Sequence, residues 1–229
     1  MSLHNIGMVA ADTTRTKYYI DELIKNNLLP SYILLLLNND NELLPGQKEV
    51  ETENELITRL RKEGVKYDIA PNSNINSDEV ITAIANRLET VFIFSGYGGV
   101  LLRDKILDTG KKFLHIHGGY LPDYKGSTTN YYSLIDENTI GASAIFLTKE
   151  IDCGPILLRK KFVPPKDRTE IDHNSDSEAR AKVLIECLQN YVDSGGWEYE
   201  LENNYGGETF YIIHPVLKHI AILVKETLQ

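Results

Sequence analysis

Cysteine is scarce in this chain: the only two are Cys153 and Cys187. Two thiols build no disulfide framework and point to a reducing compartment. Long apolar runs are missing as well. The longest, Ile33 to Leu37, falls far short of the ~20 residues a membrane helix needs, so no membrane contact is expected. The amino terminus, Met1-Ser2-Leu3-His4-Asn5, shows no charged stretch followed by an apolar one. No signal peptide is read there, and a cytoplasmic location is expected. Positive charge is in deficit, with 24 Lys and Arg against 33 Asp and Glu for a net charge of −9. Such a chain repels phosphate backbones, which argues against nucleic acid as a partner. Internal repeats and low-complexity tracts are absent too.

What is present is ordinary globular composition, 42% hydrophobic and 25% charged over 229 residues, enough for one domain with an extension. The first half alternates strand-like runs with helix-like periods. Asn5 to Ala10 reads as a buried strand. Asp12 or Thr13 can cap a helix whose apolar stripe is Tyr18, Tyr19, Leu23, Ile24 and Leu28, with Pro30 as its stop. Strands are expected over Ser31 to Leu37, Val91 to Phe94 and Lys112 to His117. Helices are expected over Glu53 to Lys62, from a Ser77 cap through Leu88, and over Val100 to Asp108. This order implies an α/β, Rossmann-like, open and mostly parallel sheet with helices on both faces. Gly141 to Thr148 and Pro155 to Phe162 read as a hairpin. Ser175 to Asp193 and about Leu217 to Leu228 read as helices of a C-terminal extension. The boundary is placed at residue 165, with a catalytic core over 1–165 and an extension over 166–229 packed on it.

In such a sheet, ligands bind beyond the carboxyl ends of the strands. No glycine-rich loop follows the first strand, so a dinucleotide cofactor is not expected. Two other loops stand out. In Ser95-Gly96-Tyr97-Gly98-Gly99, small residues let the backbone approach a planar ligand closely; a plain strand-to-helix turn is the simpler account. The second runs from His115-Ile116-His117 through Gly118-Gly119 to Leu121-Pro122-Asp123-Tyr124-Lys125-Gly126. Positions two apart on a strand share a face, so His115 and His117 point one way and Leu114 and Ile116 the other. The two imidazoles could be metal ligands with a carboxylate as third, or an acid–base group with a neighbouring donor. Alone, Asp152 in Asp152-Cys153-Gly154-Pro155 reads as a turn former.

Taken together, the chain resembles the 10-formyltetrahydrofolate-dependent formyltransferases. That family's hallmark is Asn-x-His, then Leu-Pro-x-Tyr-x-Gly, then a later Asp-x-Gly-Pro turn. His117, Leu121 to Gly126, and Asp152 to Pro155 match it. Two departures occur: His115 stands where the family has Asn, and Gly118-Gly119 where it has Pro-Ser. The resemblance implies formyl transfer from 10-formyltetrahydrofolate to a primary amine. His117 would be the acid–base group, Asp152 would orient it and fix its tautomer, and His115 would be the second donor, bulkier than Asn and titratable. Gly96, Tyr97, Val100, Leu101, Lys149 and Ile151 would line the folate site; for Val100 and Leu101, packing at a helix start is an equal reading.

The acceptor branches differ. A transfer-RNA branch carries a basic C-terminal barrel, which this short acidic chain lacks room for. A purine branch holds a ribose phosphate after the first strand, where Asp12 to Thr16 offers threonines and Arg15 but no glycine. The sugar branch, which formylates nucleotide-linked amino sugars for surface polysaccharide, is the expectation. Tyr124, Lys125, Thr128 and Asn130 would touch the acceptor, with a helix start capped by Ser127 or Thr128 as the plainer account. The aromatic tail with Trp197, Tyr199, Tyr205, Phe210 and Tyr211 could stack on a base, cap the core or pack a homodimer. A metal-dependent hydrolase using His115, His117 and Asp152, and a folate-binding module without turnover, are the competing readings.

Overall fold

A computed structural model describes residues 3–37, 54–201 and 203–223. Its main sheet has seven strands in the order β3-β2-β1-β4-β5-β7-β8. Their ranges are β1 Leu3–Ala11, β2 Pro30–Leu36, β3 Tyr67–Ile69, β4 Val91–Ser95, β5 Lys112–His117, β7 Ile140–Phe146 and β8 Ile156–Phe162. The pairs from β3 to β5 are parallel, and β5–β7 and β7–β8 are antiparallel. The hairpin thus joins the main sheet as its antiparallel edge. A separate two-stranded sheet pairs β6 (Tyr124–Gly126) with β9 (Glu208–Phe210).

Among the described residues seven α-helices accompany the strands: α1 Thr14–Lys25, α2 Glu55–Lys62, α3 Asp78–Ala85, α4 Asp104–Leu107, α5 Thr129–Asp136, α6 Asp176–Ser194 and α7 Pro215–Leu223. Local chemistry sets their starts. Thr13 accepts from Thr16 N, Asn54 from Leu56 N and Ile57 N, and Ser77 from Val80 N, each satisfying first-turn donors that the helix leaves open. Glu53 and residues 224–228, placed in helices by periodicity, lie outside the described residues.

The central strands are apolar on both faces because each face is covered. One core joins Ile6, Met8, Ile93, Leu114 and Ile116 to Tyr19 and Leu23 of α1 and Leu184 and Leu188 of α6. The other joins Val9, Phe92, Phe94 and Phe113 to Val80 and Ile84 of α3. Cys187 is buried in the first core, which pushes its thiol pKa up to about 12. No helix among the described residues is long and apolar enough to cross a membrane.

One expectation needs correction, and three short strands had none. The helix expected over Val100 to Asp108 shrinks to α4; Val100 and Leu101 sit before it, 39% and 57% exposed, so they do not pack a helix start. The short strands β3, β6 and β9 carry no readable pattern, because three residues are too few for a period to appear.

Candidate active site

Chain reversal puts β2 and β4 on opposite sides of β1, a topological switch point where an open α/β sheet leaves a crevice. Here side chains fill that crevice. Arg15, in the first turn of α1, donates to Ser95 Oγ (3.4 Å) and to the Gly96 carbonyl, and the Thr16 and Ser95 hydroxyls lie 2.8 Å apart. The open space is displaced one strand over, above the end of β5. A cavity of about 510 Å³ lies there, lined by Arg15, Tyr97, His115, His117, Asp152 and Arg180 among others. A smaller one of about 100 Å³ adjoins it, lined by Leu102, Leu147, Thr148 and Lys149. Phe94, Val100, Leu101, His115, Ile151 and Asp152 line both, so this set forms the boundary.

β5 sets the imidazoles. Its Leu114 and Ile116 enter the core under α6, so alternation turns His115 and His117 to the opposite face, toward the cavity. His117 is 4% exposed. Its Nε2 lies 2.8 Å from the Tyr124 carbonyl, which can only accept, so Nε2 carries the proton. Nδ1 then presents its lone pair to the neighbourhood of Asp152, 3.4 Å from Oδ1. The tautomer is therefore held by the Tyr124 backbone and not by Asp152, contrary to expectation; the carboxylate acts on Nδ1 through its charge. Burial lowers the His117 pKa below its ordinary value, and Asp152 pulls the other way.

His115 Nδ1 is buried with no hydrogen-bond partner. Burial first, then the charges of Arg180 and Arg15, push the His115 pKa well below 6.5. The titration expected of an imidazole in an Asn position is thus moved out of the neutral range, and His115 is a neutral ring there.

Asp152 adopts φ 53°, in the left-handed region uncommon for a residue with a Cβ. This backbone bend turns the carboxylate back under β6, where Oδ2 accepts from Gly126 N at 2.8 Å. The bond fixes the orientation of the carboxylate.

α6 supplies two residues that sequence reasoning did not assign to the site. Arg180 donates to Asp176 Oδ2 (2.7 Å) and to the Ile116 carbonyl of β5 (2.8 Å). Gly118 leaves them space: a Cβ there would overlap Arg180 Nη2 and Asp176 Oδ1. The departure from Pro at this position therefore belongs with the Arg–Asp pair. Its one sequence signal was the i,i+4 spacing of opposite charges.

The other expected residues divide. Tyr97 lines the larger cavity and donates its hydroxyl to the Leu36 carbonyl at 2.9 Å. Gly96 presents its carbonyl to Arg15. Lys149 is exposed and paired with Asp108 at 3.2 Å. Thr128 and Asn130 line the cavity, but the Asn130 amide is engaged at both ends, on Asp176 Oδ1 (2.9 Å) and Gly141 N (2.7 Å). Thr128 leads into α5 without a side-chain cap; its hydroxyl instead accepts from Ile213 N at 2.8 Å. Tyr124 and Lys125 do not face the acceptor as expected. The Tyr124 hydroxyl is turned onto Asp136 at 2.8 Å, and Lys125, 6% exposed, donates to the Asn204 carbonyl at 3.0 Å. Both lie on the short strand β6, whose pairing with β9 buries them. Thr209 to Ile212 from the tail complete the wall. Trp197 stacks on Tyr191 and edges onto Phe146, capping the core, while Tyr205 and Tyr211 stay exposed.

His115, His117 and Asp152 bring potential ligand atoms within 4.8 Å of one another. The guanidiniums of Arg15 and Arg180 stand beside them and oppose a cation. The arrangement instead suits proton movement and charge stabilisation: a neutral imidazole with a free lone pair in the wall of the larger cavity, and beside it a fixed carboxylate and an unpartnered ring nitrogen on residues that line both cavities.

The site lies at the carboxyl edge of an open α/β sheet, where such folds hold their ligands. The chain belongs to the formyl transferase family, whose profile matches residues 6–188. A methionyl-tRNA formyltransferase of Finegoldia magna is 29% identical over 131 residues, 55% of this chain and 42% of that protein. The chain spans less than half the length of the curated relatives it matches first. Among solved structures, a sugar N-formyltransferase of a Shewanella species superposes with a TM-score of 0.60 at 15% identity, covering 95% of this chain and 86% of that one. An N-formyltransferase of Helicobacter canadensis, solved with folinic acid and dTDP-3-aminofucose, gives 0.58 at 15% identity, covering 91% and 71%. At these identities the superpositions establish the fold.

Proposed function

We propose that the protein transfers the formyl group of 10-formyltetrahydrofolate to a primary amine of a nucleotide-linked amino sugar. One observation carries this reading: His117, in the wall of the larger cavity, has its Nδ1 3.4 Å from the carboxylate of Asp152, which lies at the boundary of the two cavities. The donor supplies an activated formyl carbon, and the residues that fit it are Val100, Leu101, Lys149 and Ile151, with the pterin toward the smaller cavity. His117 takes a proton at Nδ1 from the attacking amine and returns it to the departing nitrogen. Asp152 stabilises the imidazolium formed between those events. With the single proton of its neutral ring on the unpartnered Nδ1, His115 donates that N–H to the oxygen on which negative charge develops. In this reading residues 1–165 carry the chemistry and residues 166–229 complete the acceptor wall.

An anionic acceptor is favoured by the charge of the cavity. In a chain of net charge −9, Arg15 faces it with no carboxylate within ion-pair distance among the described residues. Burial lowers the Arg15 pKa, and Arg180 adds repulsion, so a diphosphate or another anion on the acceptor would stabilise both guanidiniums. The same observation supports an alternative acceptor, an aminoacyl ribose phosphate of the phosphoribosylglycinamide type. The acidic surface speaks for a small-molecule acceptor over transfer RNA.

The test is a mass-resolved assay of the purified chain with 10-formyltetrahydrofolate. Nucleotide-linked amino sugars, phosphoribosylglycinamide and methionyl-tRNA serve as acceptors. A product 28 Da heavier (one CO) from an amino sugar is expected, by ordinary formylation arithmetic of roughly that mass. Folate binding without product from any acceptor leaves the binding-module reading. Activity abolished by a chelator leaves the metal-dependent one.

A further inference from the structure

The turn that presents Asp152 is held by a residue outside the family-matched segment. Asn204 follows α6 in the tail and is 6% exposed. Its Nδ2 donates to the Asp152 carbonyl at 2.8 Å and to the Gly154 carbonyl at 2.7 Å. Both N–H groups are spent on the two carbonyls that flank Cys153, so the amide spans the turn from one side to the other. Asn203 continues the pattern on the next residues. Its amide accepts from Ile156 N at 2.8 Å and donates to the Ile156 carbonyl at 2.7 Å, as a neighbouring strand would. The tail thus docks along residues 152, 154 and 156 through side-chain amides.

The docking also reaches β6. Lys125 donates to the Asn204 carbonyl at 3.0 Å, while its neighbours Tyr124 and Gly126 contact His117 and Asp152. Gly207, at φ 74°, brings the tail against the Leu-Pro loop so closely that a Cβ would overlap the Pro122 carbonyl. The Asn204 Oδ1 is buried with no partner. A buried orphan acceptor is costly, and Asn204 keeps it for the sake of two donors placed on one turn.

We infer that Asn204 is a positioning residue: by clamping the left-handed turn at Asp152, it sets the carboxylate at its distance from His117. The inference deepens the reading of His117 and Asp152 as the reacting pair, but its first measurement uses no substrate. Asp152 from this turn, and Arg180 and Asp176 from α6, are the charged groups that bear on His117. If the clamp is released, the Asp152 charge recedes and the imidazole holds its proton less well.

The experiment follows the His117 ring by NMR across pH in the full chain. It compares wild type with Asn204→Ala, the near-isosteric Asn204→Leu, and Asp152→Asn. Both Asn204 variants should shift the His117 titration downward, in the direction that Asp152→Asn shifts it, with circular dichroism unchanged. If the Ala variant fails to fold, the Leu variant, which fills the same space, carries the test. In the assay, kcat should fall by about tenfold to a hundredfold with the donor KM within about twofold, the scale expected of a misplaced catalytic group. A His117 titration that superimposes on wild type in a folded Asn204 variant overturns the inference. A shifted titration in a protein that formylates no acceptor leaves the clamp standing and removes the proposed function.

Discussion

Strand β5 and the turn at Asp152 reach the same cavity by different physics. β5 aims His115 and His117 through the two-residue alternation of a strand whose other face, Leu114 and Ile116, is locked into the core. The turn aims Asp152 through a left-handed residue held by hydrogen bonds from Gly126 and Asn204. Apolar burial makes the first placement insensitive to single polar changes nearby. The second depends on a few directional bonds, each of which one substitution removes. The contrast teaches that a carboxylate far along the chain needs its own local scaffold, even when the sheet has already set its partner.

The largest effect expected is that of His117→Ala. It removes the proposed proton carrier and should lower kcat by about 10²–10⁴-fold while thermal unfolding stays cooperative. An activity near wild type would break the strand half of the comparison. Asp152→Asn comes next, with kcat lower by roughly a hundredfold. The folded state should survive, because an amide oxygen can still accept from Gly126 N. Loss of the fold instead would mean that the carboxylate serves the turn more than the imidazole.

Gly118→Ala separates packing from chemistry. Its new Cβ enters the space of Arg180 and Asp176, and overpacking of this kind costs about 1–3 kcal/mol, readable as a lowered melting temperature. An unchanged melting temperature would show that the Arg–Asp pair gives way freely. His115→Asn should have the smallest kinetic effect, within roughly tenfold of wild type, since one neutral hydrogen-bonding group replaces another at about 1 kcal/mol. A larger loss would assign His115 a role that an amide cannot fill.

The same variant sharpens the pH dependence. His115 has a folded pKa well below its unfolded value of 6.5, so below that pH the unfolded chain binds the extra proton. Stability is therefore full above about pH 6.5 and declines as pH falls toward the folded value. Chemical denaturation between about pH 7 and 5 should show this decline, and His115→Asn should shallow it. An identical slope in both proteins would place the pH dependence on other groups, His117 first among them.

Periodicity disclosed the long elements because a buried face leaves a repeating trace. The strands at 91–95 and 112–117, α1, α3 and α6 all show it. The paired histidines were legible for the same reason, as residues on one face of a strand, whereas the Leu-Pro-x-Tyr-x-Gly loop was legible only through its resemblance to a family motif. Arg180 and Asp176 were readable only as a helix pair, since nothing in their spacing says which strand lies beneath them. Lys125 was misread as an acceptor contact because a lysine beside a catalytic loop is ordinarily solvated. Its burial follows from β9, a strand of three residues brought from more than eighty positions away.

Order along the chain was enough to specify an open α/β sheet and the common face of His115 and His117, because local alternation and helix period are properties of adjacent residues; the kinship came from the resemblance of its motifs to a known family. The meeting of Asp152 with His117, the tautomer held by Tyr124, the role of Gly118 and the Asn204 clamp arose on folding. Each joins groups that share no period and come together only when separate segments pack, and their energies reside in distances and angles that a one-dimensional string does not contain.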